Sequence, residues 1–279
     1  LSAEAAGAPP AAGVPGAVAV ELVHNFSLLH DDIMDRDAER RHRPTAWHVF
    51  GTSPAILAGD ALLTLAVDVL LEAPSPYAGR AGRCLTSATQ RLITGQASDL
   101  EFEERDDVTL DECLAMASDK TGALIGCASA IGALLAGAPP RLTDGLAAFG
   151  VHLGLAFQLV DDLLGIWGSP EVTGKPVLSD LRARKKSLPV VAALAAGSPH
   201  ARRLAELYGR LQPLTEAELT LSAGLVEDAG GREWSERQAS HELAEAERAL
   251  DGCLDRSGHA ARVRGELMEI ARFVTDRDS

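Results

Sequence analysis

The sequence predicts an all-α protein, a single-domain bundle of about ten helices. Three observations carry that reading. Aromatic residues make up 4% of the 279 residues, Ala and Leu dominate, and long stretches lack β-branched enrichment. Nothing alternates with period two over a useful length, and no internal repeat of fixed period is present. Apolar segments of helical length are punctuated by Gly, Pro or polar clusters, with no Ser/Gly-rich linker or abrupt change of composition to divide one large core.

Taken in order, a first helix runs from about Gly16 to Asp35 and ends in "LLHDDIMD". "RRHRPTAWHVFGTS" interrupts the helical pattern with Pro44 and Gly51 before a second helix from Pro54 to about Glu72. "APSPYAGR" is a loop, followed by helices over about Gly79–Glu103, Leu110–Ala136 and Leu142–Ile166. The remaining helices cover Ser187–Ala196, His200–Arg210, Thr215–Ala229, Trp234–Leu254 and His259–Phe273. Several are apolar nearly all round, which marks them as central.

Charge and cysteine usage exclude some functions. With 26 basic and 40 acidic residues the formal charge is −14, which disfavours a nucleic acid or an anionic membrane as partner for the surface as a whole. Cys84, Cys113, Cys127 and Cys253 show no C-x-x-C pair and no zinc-ligand spacing, so they read as reduced thiols of a cytoplasmic protein. Glu4, three prolines and the lack of a basic leader argue against a secretory signal in the apolar first twenty residues. The uncharged stretch from Thr121 to Ala138 is about long enough to span a bilayer, but its small side chains favour a closely packed buried helix, so no membrane span is expected.

The chemistry concentrates in two acidic motifs. On a helix, Asp31 and Asp35 are i and i+4, one turn apart on one face, and can share hard cations through oxygen, while Asp32 points about a quarter-turn away. Asp161 and Asp162 follow an apolar helix with Gln158 one turn earlier. Two such pairs near helix ends suggest facing walls of one deep central cavity, where opposed carboxylates repel unless cations lie between them. Mg²⁺ commonly links carboxylates to substrate phosphates, and Arg40, Arg41, Lys175, Lys185 and Lys186 follow the motifs as phosphate partners. A single DDxxD is often a solvated helix end; two, each trailed by basic residues and embedded in apolar helices, are hard to obtain by chance.

These motifs resemble those of the trans-isoprenyl diphosphate synthases, or polyprenyl synthetases, over nearly the whole chain from about Val14. "LLHDDIMDRDAERRHRPT" resembles the family's first aspartate-rich motif, and "FQLVDDLLGIWG" with "TGKPVLSDLRARKKSLP" its second. "GQASDLEF" and "KTGAL" match two smaller signatures in the right order. The resemblance implies the isoprenoid synthase type I fold, a homodimer, and head-to-tail prenyl transfer, in which an allylic diphosphate ionises and the double bond of isopentenyl diphosphate attacks the cation. It also implies about three Mg²⁺ ions, with Asp31 and Asp35 ligating two and Asp161 the third, supported by Asp32 and Asp162. Arg40, Lys120 and Lys185 would hold the allylic diphosphate with help from Thr121 and Gln158; Lys175 and Lys186 read equally as further diphosphate partners or as solvated loop lysines. Arg41 would face isopentenyl diphosphate, and Gln96 and Asp99 would form a second polar shell.

Three departures from the family pattern stand out. Gly165 occupies a position where many members carry a third Asp; removing that outer carboxylate is expected to weaken Mg²⁺ affinity while sparing activity. Trp47, with His48 beside it, stands where members often carry His, and both read as packing under the loop rather than as bases. The family's G-K-R-x-R-P element, which grips isopentenyl diphosphate, lies ahead of the first residue here; either the full-length product supplies it or this member binds that substrate differently.

Phe26 and Ser27 precede Asp31 by five and four residues on the same helix and set how deep a prenyl tail can reach. An aromatic followed by a small residue, with no insertion in DDxxD, resembles geranylgeranyl diphosphate synthases. His24 and His30 read as structural. Two other readings compete. A class I terpene cyclase is disfavoured by the Arg40-Arg41 pair, by Lys120 and by the lack of an NSE-type metal motif. A non-catalytic subunit of a heteromeric synthase is disfavoured by the near-intact aspartate motifs.

Overall fold

The computed structural model describes residues 1–169, 177–210 and 212–275, so Lys175 lies outside the described residues. The chain is all-α apart from one two-stranded hairpin among the described residues. It forms two compact units, each assembled from three separate stretches. Residues 1–90, 123–150 and 248–268 make one; residues 91–122, 151–247 and the stretch from Glu269 make the other.

In the first unit, the Val14–Met34 helix packs against Thr52–Leu71 and Ala123–Leu135. Ala19, Val23, Phe26, Ala66, Leu70 and Ile131 are buried here. Small residues set the spacing. A Cβ on Gly16 would lie 2.7 Å from Ile131 Cγ2, and one on Gly150 would lie 2.7 Å from the Gly126 Cα and closer still to the Ile125 carbonyl oxygen. An amino-terminal turn, Ser2–Ala5, rests on Ala123–Leu135 and is tied to the last helix, Gly258–Thr275: Arg262 pairs with Glu4 at 2.7 Å, and His259 Nε2 lies 3.1 Å from the Glu4 carbonyl oxygen.

The second unit has two apolar clusters. Ile166, Leu181, Leu204, Leu207, Leu219 and Val226 form one; Phe102, Cys113, Met116, Leu159, Leu188 and Val191 form the other. Its helices begin where side chains satisfy orphan backbone donors. Thr109 with Glu112 and Thr215 with Glu218 are reciprocal capping boxes, and Ser198 accepts from Ala201 N–H.

Most helix bounds fall within three residues of those read from the sequence. The expected Leu110–Ala136 helix is instead broken: Leu110–Ala117 and Ala123–Leu135 are separated by a wide π turn over Ser118–Gly122. The 13-residue Ala123–Leu135 segment is buried on nearly every side, as expected of its small residues. Three other segments, Pro10–Met34, Thr52–Leu71 and Pro140–Trp167, are long and apolar enough to cross a membrane by length and composition alone. The short helices Ser2–Ala5, Ala46–Phe50 and Ser179–Arg182 were not expected.

Gly150→Ala tests the close backbone approach. Alanine's higher helix propensity favours the variant by about 1 kcal/mol, whereas overpacking costs about 1–3 kcal/mol. Because the obstruction includes backbone atoms that cannot rotate away, chemical denaturation should show a net loss of stability.

Candidate active site

In the first unit the acidic helix end has two kinds of carboxylate. Asp31 is partly exposed and Asp35 fully so, one turn apart, with Asp35 at the helix C-cap donating its N–H to the Asp31 carbonyl at 2.8 Å. Asp32 is buried, and its Oδ1 accepts from Arg40 Nε at 2.6 Å. Asp32 therefore fixes a guanidinium rather than offering itself to a cation.

Arg40 sits on a minimal hairpin in which Glu39–Arg40 pairs antiparallel with Arg43–Pro44, Arg40 opposite Arg43. The two-residue turn between them, Arg41 (φ 50°) and His42 (φ 61°), has both residues in the left-handed region, as a type I′ turn requires. Neither residue is Gly, Asn or Asp, so the turn carries about 1–2 kcal/mol of strain per residue. Arg41 is exposed at its tip. Asp37 anchors the turn from below: its carbonyl accepts from Thr45 Oγ1 and from Trp47 Nε1, each at 2.7 Å. Trp47 thus supports the loop, and His48 is exposed beside it.

Deeper in the same helix, Phe26 is buried with its ring edge-on to His30, centroids 4.8 Å apart. Ser27 is buried and donates to the His24 carbonyl at 2.9 Å. His30 lies over Gly59, where a Cβ would come within 2.6 Å of the imidazole, and its Nε2 is 3.1 Å from the Ile56 carbonyl oxygen. It is a packing residue. Burial, with lesser contributions from Arg40 and Arg41, lowers the His24 pKa, while Glu21 opposes the shift.

In the second unit, the Pro140–Trp167 helix ends in Asp161, exposed, and Asp162, buried. Asp162 uses both oxygens: Oδ2 accepts from Leu188 N–H at 2.9 Å and Oδ1 from Gln158 Nε2 at 2.8 Å. Gln158 Oε1 in turn accepts from Thr121 Oγ1 at 2.7 Å. Burial, opposed by Lys185, pushes the Asp162 pKa up to about 6. For Lys185 the balance runs the other way. Burial opposes its charge, but Asp162, Asp180, Asp99 and Asp161 outweigh that and hold its pKa above the usual lysine value.

Lys186 does not join it. The two lysines lie on a non-helical stretch, and Lys186 is buried with its ammonium over the Tyr208 ring, 5.8 Å from the centroid.

The π turn presents Lys120 and Thr121. Lys120 Nζ pairs with Asp99 Oδ2 at 2.5 Å, and Arg91 clamps the turn through Asp119 at 2.6 Å and Ser118 Oγ at 3.2 Å. Gly95 makes the approach possible, because a Cβ there would lie 2.7 Å from the Lys120 Cα. π turns of this kind frequently mark functional sites. Gln96, on the same helix as Gly95 and Asp99, is buried, and neither Oε1 nor Nε2 of its amide has a hydrogen-bond partner among the described residues.

Gly165 also has a structural explanation. A Cβ there would fall within 2.7 Å of Asp180 Oδ1, so the Asp180 carboxylate occupies the space next to the motif's fifth position. The Arg91 clamp and the placement of Asp180 were not read from the sequence. Both depend on partners distant in the chain, and the usable signals were Gly95 and Gly165 inside otherwise helical patterns.

Each unit offers carboxylate oxygens of the type a hard cation takes. Among the described residues no group of three or more His, Cys, Asp or Glu forms a ready cage. Asp31 and Asp35 in the first unit and Asp161 in the second are partly or fully exposed carboxylates, and Mg²⁺ commonly takes one or two carboxylates together with phosphate and water.

Comparison with known proteins gives a consistent picture. A family model described as polyprenyl synthetase matches residues 2–221. The chain is 52% identical over 282 residues to a (2E,6E)-farnesyl diphosphate synthase of Mycobacterium tuberculosis (strain ATCC 25618 / H37Rv), covering all of this chain and 77% of that protein. It is 48% identical to a geranylgeranyl diphosphate synthase of the same organism, over 89% of this chain and 71% of that one. Its fold matches the crystal structure of a polyprenyl synthetase from Streptomyces coelicolor A3(2) with a TM-score of 0.92 and 55% identity, covering 98% and 81% of the two chains.

Gly95→Ala and Gly82→Ala, on one helix, give a matched test of the approach to Lys120. No atom outside the helix lies within 4 Å of a Cβ on Gly82. Gly82→Ala should therefore stabilise by up to about 1 kcal/mol, while Gly95→Ala should destabilise, read as opposite shifts in denaturation midpoint.

Proposed function

The chain belongs to the polyprenyl synthetase family, and on that premise we propose that it condenses isopentenyl diphosphate with an allylic diphosphate to give geranylgeranyl diphosphate. As a member it is an isoprenyl diphosphate synthase, a prenyltransferase. The observation that best supports the catalytic reading is the Lys120–Asp99 pair at 2.5 Å on the π turn, beside half-buried Lys185, whose charge four carboxylates favour. Such concentrated charge is costly to maintain unless it serves a site.

In this reading Asp31, Asp35 and Asp161 hold Mg²⁺. When bound, Mg²⁺ offsets the charge of a departing diphosphate. Arg40, aimed by Asp32, binds the allylic diphosphate together with Lys120 and Lys185. These cations favour heterolysis of the allylic C–O bond, in which the electron pair leaves with the diphosphate. Asp162 holds Gln158 and Thr121 in place from behind, and the Gln96 amide meets substrate or its water. Arg41, exposed at the tip of the hairpin turn, binds isopentenyl diphosphate. Surrounding apolar side chains keep water from the allylic cation. A second copy of the chain covers the exposed apolar residues Phe50, Leu57, Leu65 and Leu71, giving a homodimer.

Product length is read from Phe26 and Ser27. Curated relatives of similar identity carry both farnesyl and geranylgeranyl names, so overall identity does not choose between fifteen and twenty carbons. An aromatic ring at position 26 beside a small residue at 27 leaves depth for the longer product.

Purified protein incubated with Mg²⁺, isopentenyl diphosphate and each allylic primer should yield geranylgeranyl diphosphate by mass spectrometry, with activity lost on chelation. Consumption of a prenyl diphosphate without isopentenyl diphosphate would instead favour the cyclase reading, and elongation only with a second protein the subunit reading. Asp31→Ala and Asp161→Ala should each lower kcat/KM by about 10²–10³-fold or more. Ser27→Phe should shorten the product by about one isoprene unit, because the added ring fills the tail channel.

A further inference from the structure

The four free cysteines show no redox spacing in the sequence, yet the fold brings two of them together. Cys84 lies on the Ala78–Glu104 helix and Cys127 on Ala123–Leu135, 43 positions apart, with their sulfur atoms 3.5 Å from each other. The approach is possible because the second helix presents small residues, Ala123, Gly126 and Ala130, around Cys127.

The two thiols are not equivalent. Cys127 is buried, whereas Cys84 is partly exposed and lines a cavity of about 300 Å³ together with Arg80, Arg83, Thr143 and Asp144. The hydrogen bond between them lowers the Cys84 pKa against the opposing effect of burial. The same bond, with burial, raises that of Cys127. A reactive thiol facing a cavity, backed by a second thiol in contact, is the arrangement of an attacking and a resolving cysteine. Cys113 and Cys253 lack it. Cys113 is buried with its sulfur donating to the Lys186 carbonyl at 3.3 Å, and burial raises the pKa of both thiols.

We propose that Cys84 and Cys127 are an oxidation site that closes to an intrachain disulfide when the protein meets a hydroperoxide. The Cys84 thiolate attacks one peroxide oxygen, the O–O bond breaks, and the other oxygen departs as water or alcohol after taking up a proton. Cys84 is then a sulfenic acid. The Cys127 sulfur displaces its hydroxyl, which leaves as water with the Cys127 thiol proton, and the S–S bond forms. Each sulfur loses one electron and the peroxide accepts two. Closing from contact to a bond of about 2.05 Å requires each sulfur to move by under about 1 Å, within reach of side-chain rotation by the more exposed Cys84.

The cross-link joins residues 43 apart and restricts the unfolded chain, so oxidation should raise thermal stability. The test uses the full chain, hydrogen peroxide, thiol titration and mass spectrometry of peptides digested without reductant. Free thiols should fall from four to two, a Cys84–Cys127 cross-linked peptide should appear, and the melting temperature should rise, all reversed by dithiothreitol. The Cys113→Ser/Cys253→Ser double variant, which retains the pair, should still form the cross-link, while Cys84→Ser and Cys127→Ser should not. Four unreacted thiols, oxidation that stops at a sulfinic acid on Cys84, or a disulfide made with Cys113, Cys253 or another chain would each overturn the proposal.

Discussion

The second unit is organised around one electrostatic balance: half-buried Lys185 keeps its charge against the cost of desolvation. Without partners its pKa would fall, since desolvation disfavours the charged form. Four carboxylates prevent it, and their influence on Lys185 exceeds the effect of burial. The arrangement is mutual, because Lys185 in turn opposes the rise in Asp162's pKa. Asp162 then passes order outward through Gln158 to Thr121 and through a backbone amide to Leu188, where the next helix begins. The Gln158–Thr121 hydrogen bonds and the start of the Leu188 helix thus rest on the same buried carboxylate.

Glycine does the complementary steric work. Around Lys120 the backbone widens into a π turn, and the neighbouring helix can approach it only because Gly95 carries no side chain. Gly165 plays a similar part for Asp180. An absent Cβ lets backbone come close at Gly95 and a carboxylate at Gly165, so the residue that departs from the motif's usual acid also makes room for one from elsewhere in the chain.

Much of this was legible in the sequence. Composition and punctuation specify an all-α chain, and the i, i+4 spacing of Asp31 and Asp35 places them on one helix face because helical geometry is local. What escaped reading depended on partners far away in the chain. Nothing in "MASDKTGAL" distinguishes a π turn from a continued helix; the Arg91 clamp and the Gly95 approach do. The Arg41–His42 turn escaped for the opposite reason. Type I′ turns are recognised by Asn-Gly or Asp-Gly, and here Thr45 and Trp47 hold an unfavourable sequence in that shape through the Asp37 carbonyl. Lys185 and Lys186 are indistinguishable as adjacent letters, yet four carboxylates favour the charge of one while the other lies over an aromatic ring.

The interleaving of the two units governs how the chain can acquire its structure during synthesis. Each unit draws on residues near the amino-terminal end of its own first stretch and on residues beyond position 247. Neither can therefore be completed while the ribosome is still making the middle of the chain, and early helices must wait with apolar faces uncovered. The contacts that finish the first unit, such as Arg262 with Glu4, span almost the entire sequence. Such distant closures favour slow folding and dependence on chaperones over domain-by-domain assembly.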